Sequence, residues 1–215
     1  DVLDTWFSSW LVPFSSFGWP KETDELKYFY PTNLLVTGPD IIFFWVARMI
    51  MAGLEFTGKP PFTQVYFNGI VRDEQGRKMS KSLGNGIDPI EIIDKYSADA
   101  LRFTMVDSSA EGQDLFLSEK HFEMGRNFSN KVWNAFRFLM MHKEQLPLAK
   151  SELTNPTGIT DMADLWILSR YHRAVAGITE GLENYKLHEA MHAVYQFFWN
   201  DYCDWYLELI KDRLY

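Results

Sequence analysis

The sequence predicts an α/β segment followed by an all-α segment, and three observations carry that expectation. Two apolar runs of strand length, Asn33-Leu34-Leu35-Val36-Thr37 and Val65-Tyr66-Phe67-Asn68-Gly69, flank a stretch of helical character at residues 41–56. Strand, helix, strand is the pattern of a right-handed parallel crossover. From residue 118 onward strand-like runs cease, and long stretches carry apolar residues at helical spacing, which argues for a separate helical bundle.

Each element has its own signal. Residues 1–20 hold three tryptophans, then Pro13, Gly18 and Pro20, and read as a strand end or short helix running into a loop. Residues 21–30 read as a polar connection. Pro31 introduces the first strand, Gly38-Pro39-Asp40 turns the chain, and Asp40 is placed to cap the helix that starts at Ile41. After the second strand, Asp73-Glu74-Gln75-Gly76 reads as a turn. Asp88-Pro89 then opens a helix with Pro at its first position, running to about Tyr96, and residues 98–106 form another. Residues 108–117 read as a linker. In residues 118–142 the set Phe128, Val132, Ala135, Phe136 and Leu139 marks one face of a long helix, with most cations opposite. A Pro/Ser/Thr/Asn loop at 147–158 precedes two more helices, 161–185 and 187–214, the first with Leu165, Leu168, Val175 and Leu182 at a heptad-like spacing. Two strands and one helix are too few for a doubly wound sheet. Residues 1–86 therefore read as the carboxyl half of a split, Rossmann-like nucleotide-binding domain whose other strands lie upstream.

Composition narrows the classes. In 215 residues, 47% hydrophobic content excludes disorder. The richest apolar run, residues 41–52, is broken by Arg48 and too short to cross a bilayer, so no membrane association is expected. No signal peptide is read. A lone Cys203 precludes an intramolecular disulfide and fits a reducing, cytoplasmic setting. The net charge of −8 argues against a nucleic-acid partner, yet Lys120, Arg126, Lys131, Arg137 and Lys143 face only Glu123 within residues 120–143. The chain opens inside an apolar stretch without Met and ends inside a helical pattern, and is expected to be a piece of something longer.

The chemistry concentrates in Arg77-Lys78-Met79-Ser80-Lys81-Ser82-Leu83-Gly84-Asn85. Unpartnered ammonium groups are costly to bury, so Lys78 and Lys81 must face water or an anion. Their loop follows a strand's carboxyl end, where open α/β sheets bind ligands, and point charges there suit a polyphosphate whose negative charge grows during reaction. A solvated basic loop is the plainer reading. Gly38-Pro39-Asp40 offers a backbone that a ligand can approach and a carboxylate able to accept ribose hydroxyls; a strand-to-helix turn with a capping Asp is the plainer alternative. His188-Glu189-Ala190-Met191-His192 matches the H-E-x-x-H pattern of zinc peptidases. No H-x-x-G-x-x-H extension follows it, however, and the candidate third ligands Asp204 and Glu208 lie too far along the same helix.

The nine-residue string resembles the KMSKS signature of class I aminoacyl-tRNA synthetases. The resemblance continues, in one order, through Asp4-Thr5-Trp6-Phe7-Ser8-Ser9, residues 36–45, Ala98-Asp99-Ala100-Leu101-Arg102-Phe103, Gly125-Arg126-Asn127-Phe128, Asn130-Lys131-Val132-Trp133-Asn134-Ala135 and Asp204-Trp205-Tyr206-Leu207-Glu208. Gly86 stands where an apolar residue is more usual, and Trp10-Leu11-Val12 permutes the expected Ala-Leu-Trp.

The resemblance implies amino-acid activation by ATP followed by transfer to tRNA. Lys78 and Lys81 would be the catalytic cations, stabilising the departing pyrophosphate. Gly38 and Asp40 would hold the ribose, with Met79, Ser80, Lys81 and Ser82 also at the ATP. Trp6 and Trp45 would wall the amino-acid side chain, since two rigid indoles can sandwich a branched aliphatic group. Core packing is the ordinary use of tryptophan. Residues 4–9 and 36–45 favour valine over isoleucine or leucine, and an isoleucine enzyme is the alternative within the family. Mg²⁺ would arrive with ATP, and no protein metal site is implied. The partners implied are ATP, L-valine and tRNA(Val), the last contacted by Lys120, Arg126, Lys131 and Arg137, with a monomeric parent. Residues 87–125 would form a helical stem-contact connection and 126–215 the start of a helical anticodon-binding bundle. An apolar pocket rejects threonine poorly against valine, so an editing domain is expected elsewhere. None of His121, His142, His172, His188 and His192 fits the family's His-x-Gly-His signature, so the isolated chain is expected to be inactive. A non-catalytic tRNA-binding module is the reading from another functional class.

Overall fold

Asp4 accepts the Trp6 amide at 2.8 Å and so caps α1 (Thr5–Ser9). The computed structural model describes residues 2–110, 112–143 and 158–214. Apart from Gly158, the loop expected at 147–158 lies outside the described residues. The chain divides into two compact units, Asp1–Ile70 and Val71–Tyr215.

In the first unit α1 is followed by α2 (Val12–Ser15) and α3 (Asp24–Phe29). The connection expected at residues 21–30 is thus mostly helix. Thr23 accepts the Leu26 amide at 3.1 Å, and Asp24 and Glu25 place negative charge on the first turn, where the helix dipole favours it. β1 (Thr32–Thr37) pairs in parallel with β2 (Phe62–Phe67), in a register that sets Thr32 against Phe62 and Val36 against Tyr66. β2 begins three residues before the apolar run suggested. The Pro61 carbonyl already accepts the Thr32 amide at 2.9 Å, and the Thr63 hydroxyl donates to the Asn33 carbonyl at 2.7 Å.

The expected helix at 41–56 is three segments: a 3₁₀ turn at Pro39–Ile41, a π turn at Ile42–Val46 and α4 (Ala47–Thr57). Asp40 is inside the first of these and is not a cap. Gly38 holds that position, without a side-chain bond. Val46, Met49 and Phe62 form the buried core between helix and strands, with Trp10, Leu35, Trp45, Ile50 and Val65 packed around it. Gly53 lets α4 press close: a Cβ there would stand 2.8 Å from the Tyr30 hydroxyl and 2.9 Å from Pro61.

The second unit opens with β3 (Val71–Arg72), then α5 (Pro89–Tyr96) and α6 (Ala98–Asp107). Asp88 caps α5 through the Ile90 amide at 2.8 Å, with Pro89 at the first position as the sequence indicated. The linker expected at 108–117 contains β4 (Leu115–Phe116), which pairs in parallel with β3. Two residues carry no alternation to read, and what fixes this strand is distant: Arg72 Nε lies 2.5 Å from Asp114 Oδ2, and the Leu117 amide donates to the Arg72 carbonyl.

α7 (Glu119–Met141) fits its expected span. It buries Phe122, Gly125, Phe128 and Ala135, while Val132 and Phe136, assigned to the same face, are exposed. Gly125 marks the crossing with α6, since a Cβ there would lie 2.5 Å from the Ala100 carbonyl oxygen. α8 (Met162–Glu183) corrects the heptad reading. The buried residues are Ile167, Ala174 and Gly181, and Leu165, Val175 and Leu182 are exposed. The reason is the close approach of α9 (Leu187–Tyr195): a Cβ on Gly181 would sit 3.0 Å from Ala190, so small residues take the contact and bulky ones lie beside it. The single helix expected to Leu214 continues from α9 as an eleven-residue π stretch (Gln196–Tyr206), then α10 (Leu207–Leu209) and α11 (Lys211–Leu214). Ala135, Cys203, Leu207, Ile210 and Leu214 form its core, and burial pushes the Cys203 thiol up to about 11. Arg213 grips Asp164 with both guanidinium NH groups, at 2.8 and 2.7 Å, and Tyr206 donates to the same carboxylate at 2.9 Å. No helix among the described residues is long and apolar enough to cross a membrane.

Candidate active site

In the first unit the strand ends hold the turn that carries Gly38 and Asp40. The Asn68 amide donates to the Thr37 carbonyl at 3.0 Å, tying the carboxyl ends of β1 and β2 together. Asp40 folds back over Gly38 so closely that a Cβ on residue 38 would lie 2.6 Å from Oδ1. Any side chain there would push the carboxylate aside. The π turn then carries Trp45, whose ring packs on the Val46–Met49–Phe62 core while Nε1 donates to the Ser9 carbonyl at 3.1 Å. Trp6 is 41% exposed and meets Phe44, with ring centroids 6.2 Å apart. The two indoles therefore sit on packed neighbours, α1 and the π turn, one half-buried and one open to solvent.

In the second unit the lysine loop is a hairpin branching from β3. The Met79 amide donates to the Val71 carbonyl at 3.0 Å, Arg72 bridges Lys78, and the Met79 side chain packs against the core of Ile92, Tyr96, Ala100, Leu117 and Phe122. Lys78 and Lys81 are exposed. Asp73, by sequence an ordinary turn residue, is 8% exposed and accepts four bonds at its carboxylate. Oδ1 takes the Gln75 and Arg77 amides at 3.1 and 2.8 Å, and Oδ2 takes Arg77 Nε at 2.8 Å and Asn85 Nδ2 at 2.9 Å. The bond from Asn85, then those from Arg77, hold the Asp73 carboxyl down at about 2 against the opposing effect of burial. Asn85 Oδ1 accepts the Ser80 amide at 2.9 Å, the Ser80 and Ser82 hydroxyls lie 3.2 Å apart, and the Leu83 amide donates to Ser80 Oγ at 3.3 Å. Sequence reasoning could have found this anchor only through the spacing of an Asp four residues before an Arg around Gly76.

The α7 cations divide. Lys120 and Arg137 are exposed. Lys131 pairs with Asp204 at 2.9 Å and lies 5.0 Å from the Trp199 ring centre, and Arg126 sits 5.7 Å over Tyr96. As for the H-E-x-x-H motif, His188 hydrogen-bonds the Asp107 carbonyl through Nδ1, and its ring lies 6.3 Å from that of His192. Among the described residues no group of three His, Cys, Asp or Glu side chains is arranged to hold a metal ion, so the zinc-peptidase alternative has no support in the geometry.

Comparison with known proteins gives the family. Residues 1–118 match the family model described as tRNA synthetases class I (I, L, M and V), and residues 164–215 match the anticodon-binding domain of tRNA ligase. The chain is 53% identical to the valine–tRNA ligase of Thermotoga maritima over its whole length, and 53% identical to that of Clostridium tetani. It spans 24% of the length of each. Among solved structures, the Agrobacterium radiobacter K84 agnB2 LeuRS-tRNA-LeuAMS ternary complex matches 99% of this chain and 27% of its own, with a TM-score of 0.74 at 19% identity. Mycobacterium tuberculosis methionyl-tRNA synthetase bound by methionyl-adenylate matches 95% of this chain and 39% of its own, at 0.72 and 21%. These two share the fold, an α/β region with a helical bundle. The chain belongs to the class I tRNA synthetases of the isoleucine, leucine, methionine and valine group, and relatives matching its full length are valine–tRNA ligases.

Proposed function

We propose that this chain is the lysine-loop portion of a valine–tRNA ligase, joining L-valine to tRNA(Val) at the expense of ATP. The observation that carries the reading is the hydrogen-bonded loop that holds Ser80 and Ser82 together and leaves Lys78 and Lys81 exposed. In the first step a valine carboxylate oxygen attacks the α-phosphorus of ATP. The bond to the bridging oxygen breaks, giving valyl-adenylate and pyrophosphate. Lys78 and Lys81, Lys81 more directly, offset the charge gathering on the pyrophosphate, while Met79, Ser80 and Ser82 shape the loop around it. Mg²⁺ enters as part of the ATP substrate. Gly38 and Asp40 take the ribose hydroxyls, and Trp6 and Trp45 border the valine side chain. In the second step the acyl group passes to the terminal ribose of the tRNA.

Under this reading residues 1–86 are the second half of a split Rossmann-like domain, 87–125 a connection against the tRNA stem, and 126–215 the start of the anticodon-binding bundle. The match of residues 164–215 to an anticodon-binding model supports the last of these. The α7 cations supply the tRNA backbone contacts, which weaken with salt as phosphate contacts do. The parent enzyme works as a cytoplasmic monomer. Because the chain spans about a quarter of its relatives, it is expected to be inactive alone.

The test is valine-dependent ATP–pyrophosphate exchange by a full-length ligase carrying this segment. Lys81→Ala is expected to lower kcat about a hundredfold, equivalent to about 2.7 kcal/mol of transition-state stabilisation. An unchanged kcat would refute the assignment.

A further inference from the structure

Both lysines stand at exposed positions, and the backbone between them sets where each side chain starts. Beneath the loop the packing is incomplete. A cavity of about 350 Å³ lies there, lined by Val71, Met79, Lys81, Ile87, Leu101 and Phe122 among others. Apolar contact alone leaves the loop room to shift. The polar ties are continuous instead: Asp73 to Asn85 at 2.9 Å, Asn85 to the Ser80 amide at 2.9 Å, and Asn85 to the Lys78 carbonyl at 3.4 Å. One amide side chain therefore spans the backbone on both sides of Met79.

We propose that Asp73 and Asn85 are positioning residues for adenylate formation, a buried carboxylate and its amide partner that set where Lys78 and Lys81 are presented. The inference rests on the ligase reading for its chemistry and on geometry alone for the anchor. The carboxylate fixes which way the amide points. Oδ1 of Asp73 is taken by two backbone N–H groups and Oδ2 accepts from Arg77, so Asn85 must turn its NH₂ to Asp73 and its oxygen to Ser80. Turned the other way, its oxygen would face the carboxylate and its NH₂ the Ser80 N–H, two repulsive contacts in place of two bonds. In Asp73→Asn, the new amide keeps its oxygen on the backbone N–H groups and so points NH₂ at NH₂. The tie to Asn85 is lost while the size of the side chain is kept.

The test has two arms. On the chain itself, the rate of tryptic cleavage after Lys78 and Lys81 reports loop opening. On a full-length ligase carrying the segment, ATP–pyrophosphate exchange reports chemistry. Asp73→Asn is expected to speed cleavage, to lower kcat about tenfold because the charges are misplaced by a fraction of the loop's width, and to leave the KM for valine unchanged. The exchanged pair Asp73→Asn with Asn85→Asp restores an N–H to carboxylate bond in the same place and should recover both readouts in large part. Asn85→Ala leaves the turn around Asp73 intact and must reproduce the single-variant pattern if Asp73→Asn fails to fold. Unchanged cleavage and kcat in Asp73→Asn or Asn85→Ala would overturn the proposal. So would an exchanged pair no better than the single variant, since the role would then be general to the fold. If Lys81→Ala leaves exchange intact, the ligase role of the lysines falls while the cleavage arm still decides the anchor.

Discussion

The lysine loop and the Gly38–Trp45 turn, each proposed to serve the ligase reaction, are built by different forces. The turn is shaped by packing: Trp45 lies on Val46, Met49 and Phe62, with its indole bonded to the Ser9 carbonyl as the polar tie that orients it. The loop is shaped by hydrogen bonds converging on Asp73 and passed through Asn85 to Ser80, over a cavity that packing leaves unfilled. A wall against an aliphatic side chain needs fixed volume, which dense packing supplies. In the proposed reaction, two cations meeting a changing charge need orientation with freedom to move, and directional bonds at the base of a loop supply that.

The contrast can be broken from either side. The largest effect is expected in the turn. Met49, 1% exposed, truncated to Ala should cost about 2–5 kcal/mol of unfolding free energy. Denaturant unfolding followed by tryptophan fluorescence checks it. A loss well below 1 kcal/mol would mean that packing does not shape the turn.

A smaller effect, confined to the loop, is expected on acidification. The Asp73 carboxyl is held at about 2 in the folded chain, below the roughly 3.9 of an unfolded aspartate. In the window between those values the unfolded state binds more protons, so the contribution is complete above about pH 4 and is lost as pH falls through about 2. Amide exchange of Arg77 and Ser80, corrected for intrinsic rates, should accelerate over that window, whereas the Asn68 amide between the strand ends should not respond in step with them. Parallel acceleration of all three would mean that acid opens the chain generally.

What was legible in the sequence follows the range of the forces involved. Asp88-Pro89 announced α5, and the apolar period announced α7, because capping and amphipathicity are local. α3 was also local, its Thr23-Asp24-Glu25 start being a helix signal hidden in a polar stretch. β4 was not readable, since two residues paired across a distance of more than forty positions leave no period. The contact face of α8 departs from the heptad reading because its crossing with α9 is made at Gly177 against Ala193 and Gly181 against Ala190, small residues that an apolar scale ranks below the leucines beside them. In the candidate site, the lysines and serines stand out in the sequence as a string of residue types. Their anchor was not, because a buried Asp73 looks in sequence like any turn aspartate.

The most direct test of the central claim is a crystal structure of a full-length ligase carrying this segment, with a non-hydrolysable ATP analogue and valine bound. The account predicts the Lys81 ammonium at about 2.7–2.9 Å from a β- or γ-phosphate oxygen, on a loop that keeps the Asp73–Asn85 bond. A fully ordered analogue whose phosphates are neutralised by other groups, with Lys81 left in solvent, would contradict it.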